Sequence, residues 1–475
     1  MNKSKSNPML FMLVITILCI GSFFIVFLKT DFSRGYSLLP LMPIIYLLLI
    51  LSFSKLVNCV PENMGATFII GFEAIRMVIS PALIVLSDYQ ITIGLNAEKN
   101  APKAIILMIY ECIVVFVVMG VASLKFRRNV NDTTSRVNPG KFKTTIIIIL
   151  IIAIASIAIS PQILNGYRTI FSVSDENYTT VEMSNIINEN SVGFVSRFTM
   201  IISNNFLLIL RILIPAMIII QLSKKAKTLK YSTIVALSPF LIVDGTIGRS
   251  LYFSVTLFYL IYFLYDSAKV AKLLKYAIVS AVAFLCVYWS IRYKVANSSY
   301  TIYEYINKIL STYFCGVNMV SGSLNLSADS SEKAMFIIAD IAKSIPFGNT
   351  LFKMQSVDYF QQYFCKVNNT YGMIPPVIGT GNFYFGFLLA PIYSAAFTYV
   401  SIVQGERAVV VTDPFKKTQH LIAALFFAMS FNMYSVQNTF ALLFFVLIPI
   451  AIVNRIAIDN NDNEEYKRQD QERIK

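Results

Sequence analysis

The stretch "LIVDGTIGRS", residues 241–250, places an aspartate, two glycines and an arginine between two apolar runs. Gly245 and Gly248 let backbone N–H groups come close to a ligand, because glycine has no Cβ. Arg249 stands where the second apolar run begins, and a helix N-terminus attracts anions. Since a guanidinium matches phosphate oxygens in bidentate geometry, the pattern predicts an anion site. Asp244 either pairs with Arg249, acts as a base or only caps the turn, and an interfacial arginine that meets lipid phosphate is the alternative interpretation of Arg249.

Another arginine, Arg211, lies roughly 13 residues inside the apolar run that contains "NNFLLILRILIPAM", which is about 20 Å deep at 1.5 Å per residue. A charge at that depth needs a partner, a water-filled cavity or an anion. Arg292 and Lys294 stand where a long hydrophilic segment begins. With Arg249 they are predicted to form an outward-facing basic cluster, although ordinary interfacial anchoring also explains Arg292 and Lys294.

Two opposite charges, Glu73 and Arg76, occur together in the apolar run "GFEAIRMVIS". Their i, i+3 spacing places them on one face of a helix. Either the pair neutralises itself and holds a helix contact, or it lines a polar cavity. The spacing leaves both readings open.

Other kinds of catalytic site find no support in the residue patterns. The chain contains no D-x-D, no Walker motif, no G-x-S-x-G and no H-E-x-x-H. The one histidine, His420, falls at the cytoplasmic start of a predicted span, which excludes a histidine base on the outer face. The six cysteines show no C-x-x-C spacing, and neither a metal nor another cofactor is predicted. No spacing identifies a catalytic base among the external carboxylates Asp88, Glu304, Asp340 and Asp358.

The elements that must position these residues are membrane helices. Of the 475 residues, 56% are hydrophobic and only 14% are charged, whereas a soluble protein would be about a quarter charged. Many apolar segments exceed about 18 residues, enough to cross a hydrocarbon core of roughly 30 Å. The predicted fold class is all-α, a polytopic integral membrane protein. The net charge of +14 is attributed to positive-inside loops, and nucleic acid is not expected as a partner.

About 12 transmembrane helices and one large external loop are predicted. The spans cover 9–29, 37–53, 66–87, 104–124, 144–163, 198–222, 231–247, 250–266, 276–292, 377–402, 418–434 and 437–454. Nine spans lie in 1–292, the external loop is 293–376, three spans lie in 377–455, and 456–475 is a charged, disordered cytoplasmic tail. The N-terminal apolar run is longer than that of a typical signal peptide, so it is predicted to be a first span.

Charge distribution predicts the orientation of these spans. Most of the 40 Lys and Arg residues fall in segments that are cytoplasmic if both termini are. The basic clusters "KKAKTLK" and "KVAKLLK" flank 231–266, and both favour the cytoplasm. This stretch therefore crosses the membrane an even number of times, and 241–250 forms the outer turn of a short helical hairpin.

The external loop 293–376 is predicted to be a functional lid rather than a linker, because loops of this length usually carry function. Its stretches "YTIYEYINKILSTYF" and "SEKAMFIIADIAKSI" have helical apolar spacing, which indicates interfacial helices. Cys315 and Cys365 both lie in this loop, where an oxidising compartment permits either a disulfide or free thiols. No repeat relates the two halves of the chain, which disfavours inverted-repeat transporters.

Two segments resemble those of a known family. The loop exit "GMIPPVIGTGNFYFGFLLAPIYSAAF" and the turn "DGTIGRSLYFSVTLFYLIYFL", with about twelve spans and a late external loop, resemble the Wzy-type O-antigen and capsular polysaccharide polymerases. The resemblance implies an enzyme that transfers a growing glycan from polyprenyl diphosphate onto a lipid-linked repeat unit. This reaction occurs at the outer face of the bacterial inner (plasma) membrane. The implied partners are polyprenyl-diphosphate-linked oligosaccharides, membrane lipids, a flippase and a chain-length regulator.

The resemblance also implies roles for individual residues. Arginines hold the diphosphate in this family, so Arg249 is expected at the reaction centre together with Asp244. The substrate-binding residues expected around them are Arg211, Arg292, Lys294, Arg76, Tyr371, Asn382 and Tyr384. The rings of Tyr371, Phe383, Tyr384 and Phe385 either stack on sugar faces or pack the span.

Three other membrane proteins compete with this reading. O-antigen ligases are associated with a histidine in the large external loop, and membrane acyltransferases are expected to use one as well. The predicted loop contains no histidine. A flippase for lipid-linked oligosaccharides would have short loops throughout and cationic residues deep in both halves, and the long loop disfavours it.

Overall fold

The computed structural model describes residues 8–31, 34–54, 62–89, 98–127, 136–167, 194–224, 228–242, 247–265, 301–345, 360–369 and 373–458. Within these ranges the regular structure is helical, and one isolated bridge joins Val137 to Ile458. The all-α prediction is confirmed. The predicted ninth span, 276–292, and nearly all of the predicted tail lie outside the described residues.

Sixteen helices are labelled here in chain order. They are α1 Pro8–Lys29, α2 Leu41–Ser52, α3 Met64–Leu86, α4 Ala101–Arg127, α5 Pro139–Ile159, α6 Phe194–Ser223, α7 Leu229–Ala236, α8 Ile247–Leu264, α9 Ile302–Tyr313, α10 Val317–Ser323, α11 Ser330–Ser344, α12 Phe360–Val367, α13 Val377–Phe385, α14 Ile392–Val410, α15 Pro414–Met433 and α16 Val436–Ile456. Short 3₁₀ segments follow α5 and α7.

Six of the described helices contain an apolar stretch long enough to cross a membrane. They are Met12–Lys29, Met64–Leu86, Ala101–Leu124, Pro139–Ile159, Phe198–Ser223 and Val436–Ile456. Each coincides with a predicted span, which supports a membrane protein. Two shorter apolar helices, Leu41–Ser52 and Gly248–Leu264, match two further predicted spans.

The chain divides into two compact units. The first unit comprises Met1–Asn129, Lys275–Glu406 and Ala424–Ala441, and the second comprises Val130–Leu274, Arg407–Ala423 and Leu442–Lys475.

In the first unit, α3 and α14 pack closely at one end. Gly405 lies so near α3 that a Cβ there would be 2.0 Å from Asn63 Oδ1. Asn63 accepts a hydrogen bond from the Ala66 N–H and donates to the Ile402 carbonyl and the Glu406 carboxylate. The small residue allows this close approach between the two helices, while the asparagine supplies the polar contacts.

Helix α9, in the predicted external loop, packs along α3 rather than beyond its end. Asn307 Nδ2 donates to Ser87 Oγ just past the C-terminus of α3, at 2.9 Å. The ring of Phe314 lies 5.6 Å from that of Phe72, in the first half of α3. Helix α9 is therefore antiparallel to α3 and reaches the middle of a candidate span.

The chain then reverses direction. Cys315 has a φ of 48°, in the left-handed region, and is followed by α10, which packs against α4 and is buried throughout. Asn100, at the start of α4, donates a 2.7 Å hydrogen bond to Asn325. Residues 302–323 thus form a helical hairpin, in which α9 packs along α3 and α10 packs against α4. The sequence predicted interfacial helices here and did not predict this hairpin.

The predicted span 377–402 consists of two helices, α13 and α14. Gly386 has a φ of 77°, which favours glycine, and Pro391 precedes α14. A Cβ on Gly381 would be 2.0 Å from the Ala390 carbonyl oxygen, so the chain folds back tightly on α13. The sequence predicted one continuous span because the residues of this turn are as apolar as the helices on either side.

In the second unit, α6 packs against α5, α7 and α8. Asn138 caps α5 by accepting from the Gly140 N–H at 2.8 Å. The rings of Phe142 and Phe415 lie 4.2 Å apart and join α5 to the start of α15. Helix α6 is thereby held at the centre of this unit, where it carries Arg211.

Candidate functional site

Arg211 is bound to the first turn of α8 in the second unit. Its Nη2 atom donates to the hydroxyl of Ser250 at 2.7 Å and to the Pro239 carbonyl at 3.2 Å. Its guanidinium carbon lies 5.7 Å from the centre of the Phe253 ring. The sequence predicted that Arg211 needs a partner, a water-filled cavity or an anion. In the structure, polar and aromatic contacts fix its position.

The local sequence explains how these groups meet. Pro215 lies one turn after Arg211 in α6 and has no N–H to donate to the Arg211 carbonyl, which removes one helical hydrogen bond there. Pro239 sits in the 3₁₀ turn after α7, where its carbonyl accepts from Arg211. Ser250 is fully buried, so its hydroxyl is directed into the protein.

Arg249 is the neighbour of Ser250 in the first turn of α8 and is half-buried. The structure therefore places Arg249 beside the residue to which Arg211 binds, a relationship that the sequence did not predict. Asp244, Arg292, Lys294 and Tyr371 lie outside the described residues. Two guanidinium groups near a helix N-terminus attract an anion, and both can donate to phosphate oxygens.

Arg76, in the first unit, forms two ion pairs rather than one. Its Nη1 atom lies 3.1 Å from Glu73 Oε1 and its Nη2 atom 2.9 Å from Glu111 Oε2. All three side chains are buried, and Ser394 Oγ donates to the other oxygen of Glu111. Because two carboxylates neutralise Arg76, the contacts favour the reading in which the charges hold helices together.

Glu111 was not among the residues predicted from the sequence, although its position in an apolar run could have identified it. It lies in the apolar run "LMIYECIVV", where a buried carboxylate needs a compensating cation. The nearest cation in an apolar run is Arg76, in α3. Arg76 lies in a five-residue π-helical turn, Ile75–Ile79, within that helix. Such turns often occur at functional positions in helices.

Tyr384, another expected substrate-binding residue, is tied to a carboxylate in the first unit. Its hydroxyl donates to Asp340 Oδ2 at 3.4 Å, and the Phe360 N–H donates to Asp340 Oδ1 at 3.3 Å. Asp340 is buried, with 7% of its surface exposed. Asn382 is half-buried beside Tyr384, and its backbone carbonyl accepts from the Gly386 N–H at the end of α13.

Of the external carboxylates considered from the sequence, Asp358 lies outside the described residues, and these contacts draw attention to Asp340. Lys333, Phe336 and Asp340 follow an i, i+3, i+7 pattern and share one face of α11. That pattern was visible in the sequence, but it gave no information on which face of α11 is buried.

The two cysteines of the predicted external loop are free thiols. Cys315 is buried and Cys365 is half-buried. Burial raises the pKa of the Cys315 thiol to about 12, while Cys365 Sγ lies 3.6 Å from the Met373 carbonyl oxygen. The structure therefore contains no bridge between them.

Comparison with protein-family models, curated proteins and solved structures gives no match.

Proposed function

We propose that this chain is a polysaccharide polymerase that transfers a growing glycan from polyprenyl diphosphate onto a lipid-linked repeat unit. The proposal places the reaction at the outer face of the bacterial inner (plasma) membrane. In the proposed topology the chain has about twelve spans, both termini lie in the cytoplasm, and residues 293–376 lie on the outer side. The observation that supports it most is the attachment of Arg211 to the first turn of α8, beside Arg249.

The chemistry requires a stabilised leaving group. A hydroxyl oxygen of the acceptor repeat unit attacks the anomeric carbon of the donor's terminal sugar. A new C–O bond forms, the bond from that carbon to the phosphate oxygen breaks, and its electron pair leaves with polyprenyl diphosphate. The hydroxyl proton passes to a base. Fixed cations near the leaving oxygens lower the barrier, because they interact most strongly with the charge that develops there.

The second unit offers such cations in suitable surroundings. Arg211 is half-buried, and its contacts with Ser250 and Pro239 hold it in place before an anion arrives. Electrostatic attraction is stronger where water is partly excluded. In the proposed role, Arg211 and Arg249 bind the diphosphate, and Asp244 orients Arg249 or caps the turn.

The proposed partners follow from the substrates. Lipid-linked oligosaccharides enter from the membrane, a flippase delivers the repeat units to the outer face, and a chain-length regulator acts on the product. Neither a nucleic acid nor a metal has a role in this scheme. Arg292, Lys294 and Tyr371 remain proposed substrate contacts on the basis of the family resemblance.

Deletion of the protein from its host tests the proposal. We expect lipid-linked single repeat units to accumulate on the outer face and long chains to be absent. Sidedness is measured by labelling the oligosaccharides on intact cells with a membrane-impermeant reagent, and chain length by gel electrophoresis of the extracted glycan. Long chains that form but remain on the carrier lipid would indicate a ligase instead.

A flippase is the second candidate, because each unit has an arginine within a candidate span. Arg76 lies in the candidate span Met64–Leu86 and Arg211 in Phe198–Ser223. A cation that escorts an anionic lipid must be available to it, whereas Arg76 is bound by Glu73 and Glu111. This contact favours the polymerase. Single units that accumulate on the inner face of the deletion strain would reverse that choice.

A further inference from the structure

We propose that α11, α12 and α13 form a saccharide-binding site in the first unit, with aromatic rings against the sugar and Asp340 and Lys333 beside them. The inference deepens the proposed function by naming a site for the glycan itself. It rests on that function only for the identity of the glycan, since the site is argued from its own contacts.

Phe383 is the centre of the aromatic cluster. Its ring is buried and lies 5.0 Å from Phe360, 6.1 Å from Tyr363 and 6.2 Å from Phe336. Phe336 and Tyr363 lie 4.9 Å from each other and are half-exposed. The cluster therefore has buried rings that fix its geometry and partly exposed rings that offer an apolar surface to a ligand.

Charges of both signs border these rings. The Lys333 ammonium lies 5.1 Å from the centre of the Phe383 ring, and Asp340 accepts from Tyr384, whose ring is 5.1 Å from Phe383. Two of the contacts of the Asp340 carboxylate are hydrogen bonds of 3.3 Å and 3.4 Å, longer than the usual 2.7–3.2 Å. A ligand hydroxyl that reaches this carboxylate can replace either of these two long hydrogen bonds.

This combination matches a sugar better than a cation. A pyranose ring presents C–H groups on its faces, which pack on aromatic rings, and hydroxyls around its edge that donate and accept hydrogen bonds. A quaternary ammonium ion also binds to aromatic rings, but it gains nothing from a lysine beside them. Lys333 already supplies the cation over Phe383, which disfavours a second cation, and Lys333 and Asp340 can respectively donate to and accept from the hydroxyls of a sugar.

The position of α11 supports a site on this face. Met335, Ile338 and Ile341 are exposed on another side of the helix, which suits contact with lipid. Ser344, at the end of α11, donates to the Gln437 carbonyl at the beginning of α16, a candidate span. Helix α11 is therefore anchored near the end of a span, where a glycan in water can reach it.

Saturation-transfer NMR on the purified full-length protein in nanodiscs tests the site. The probes are the methyl glycosides of glucose, galactose, mannose, rhamnose and N-acetylglucosamine, with choline as the cationic competitor. We expect at least one glycoside to receive saturation and choline to receive none. Tyr363→Ala and Asp340→Asn should reduce the transfer by about tenfold, whereas Tyr303→Ala and Met335→Ala, which change exposed residues outside the cluster, should not.

The outcomes separate the site from the proposed function. Absence of transfer to every glycoside, transfer to choline alone, or transfer that survives both cluster variants would overturn the site. Asparagine is nearly isosteric with aspartate, so Asp340→Asn still tests the site if Tyr363→Ala fails to fold. Glycoside binding together with normal polymer in the deletion strain would sustain the site and overturn the polymerase, whereas loss of polymer without glycoside binding would do the reverse.

Discussion

The guanidinium of Arg211 and the hydroxyl of Ser250 share a hydrogen bond of 2.7 Å that joins the middle of α6 to the first turn of α8. Bonds from a charged donor at this distance are stronger than those between neutral groups. Arg249 lies next to Ser250, so the same contact fixes the turn that carries the second arginine. The cationic surroundings of this turn are therefore built into the fold before any anion binds.

Replacement of Arg211 by lysine should lower polymer yield by about tenfold or more, because lysine keeps the charge but loses the planar guanidinium that can bind phosphate oxygens in bidentate geometry. Glycan length on gels, at equal protein level by immunoblot, measures the effect. Arg34→Lys is the matched control, since Arg34 is a partly exposed arginine whose Nε atom lies 3.4 Å from Asp31 Oδ2. Full polymer in Arg211→Lys would contradict the expected need for a guanidinium, and a loss in Ser250→Ala alone would show that the contact with α8 matters instead.

The ion-pair cluster of Arg76 should contribute to stability. Arg76→Met leaves two buried carboxylates without their cation, and breaking a buried pair in this way destabilises by about 3–5 kcal/mol. Glu73→Gln should have a much smaller effect, because one guanidinium and one carboxylate remain in contact. Heating the detergent-solubilised variants and measuring the fraction that stays monodisperse checks this order.

The triple variant Glu73→Gln/Arg76→Met/Glu111→Gln separates a structural role from a functional one. It removes every charge of the cluster, so stability should recover most of the loss seen in Arg76→Met. If stability returns but polymer does not, the cluster serves the reaction and the structural reading fails.

Hydropathy was a good guide to the long spans and a poor one to interrupted helices. Six predicted spans coincide with apolar helices of sufficient length, because a membrane helix must be long and apolar throughout. The break between α13 and α14 escaped notice, since Phe387, Leu388 and Leu389 in the turn are as apolar as the helices beside it. The twelve-span count stays a prediction.

Helix periodicity likewise predicted α9 but not its surroundings. Glu304, Asn307 and Ser311 are buried while Ile302 and Tyr303 are exposed, the reverse of a helix on a water-soluble protein. A period of 3.6 residues identifies two faces but does not say which one faces the protein. For the same reason, the sequence did not show that Asp340 is buried. Arg211 was identified as a candidate because any charge in an apolar run needs a partner, a cavity or a ligand.

The two loop cysteines should differ in reactivity. Cys315 is 1% exposed and burial raises its pKa to about 12, so at pH 8 it is a thiol rather than the reactive thiolate. Cys365 is half-buried and should react faster by at least about tenfold. Maleimide labelling before and after unfolding in SDS, read by peptide mass spectrometry, measures both. Equal labelling of the native protein, or no labelling until a reductant is added, contradicts the structure.

Arg249→Lys should reduce polymer strongly, by about tenfold or more, since an ammonium cannot bind two phosphate oxygens in the fixed geometry of a guanidinium. The same glycan gels and immunoblots apply, with Arg34→Lys again as the control. Full activity at a normal protein level would remove Arg249 from the proposed site, even if Arg211 proved essential.

Gly248→Ala distinguishes a glycine kept for a ligand from one kept for packing. A Cβ at Gly248 would meet no other group within 4 Å, so the protein should fold to its normal level. An alanine early in a helix also stabilises it by up to about 1 kcal/mol relative to glycine. If the backbone of this turn approaches a diphosphate, the added methyl group should nevertheless lower polymer yield by several-fold. Gly71→Ala, at a helical glycine whose Cβ would also meet nothing within 4 Å, is the control and should leave polymer unchanged. Normal polymer in Gly248→Ala would mean that no ligand comes close to this backbone, and the anion site would then have to rest on the arginine side chains alone.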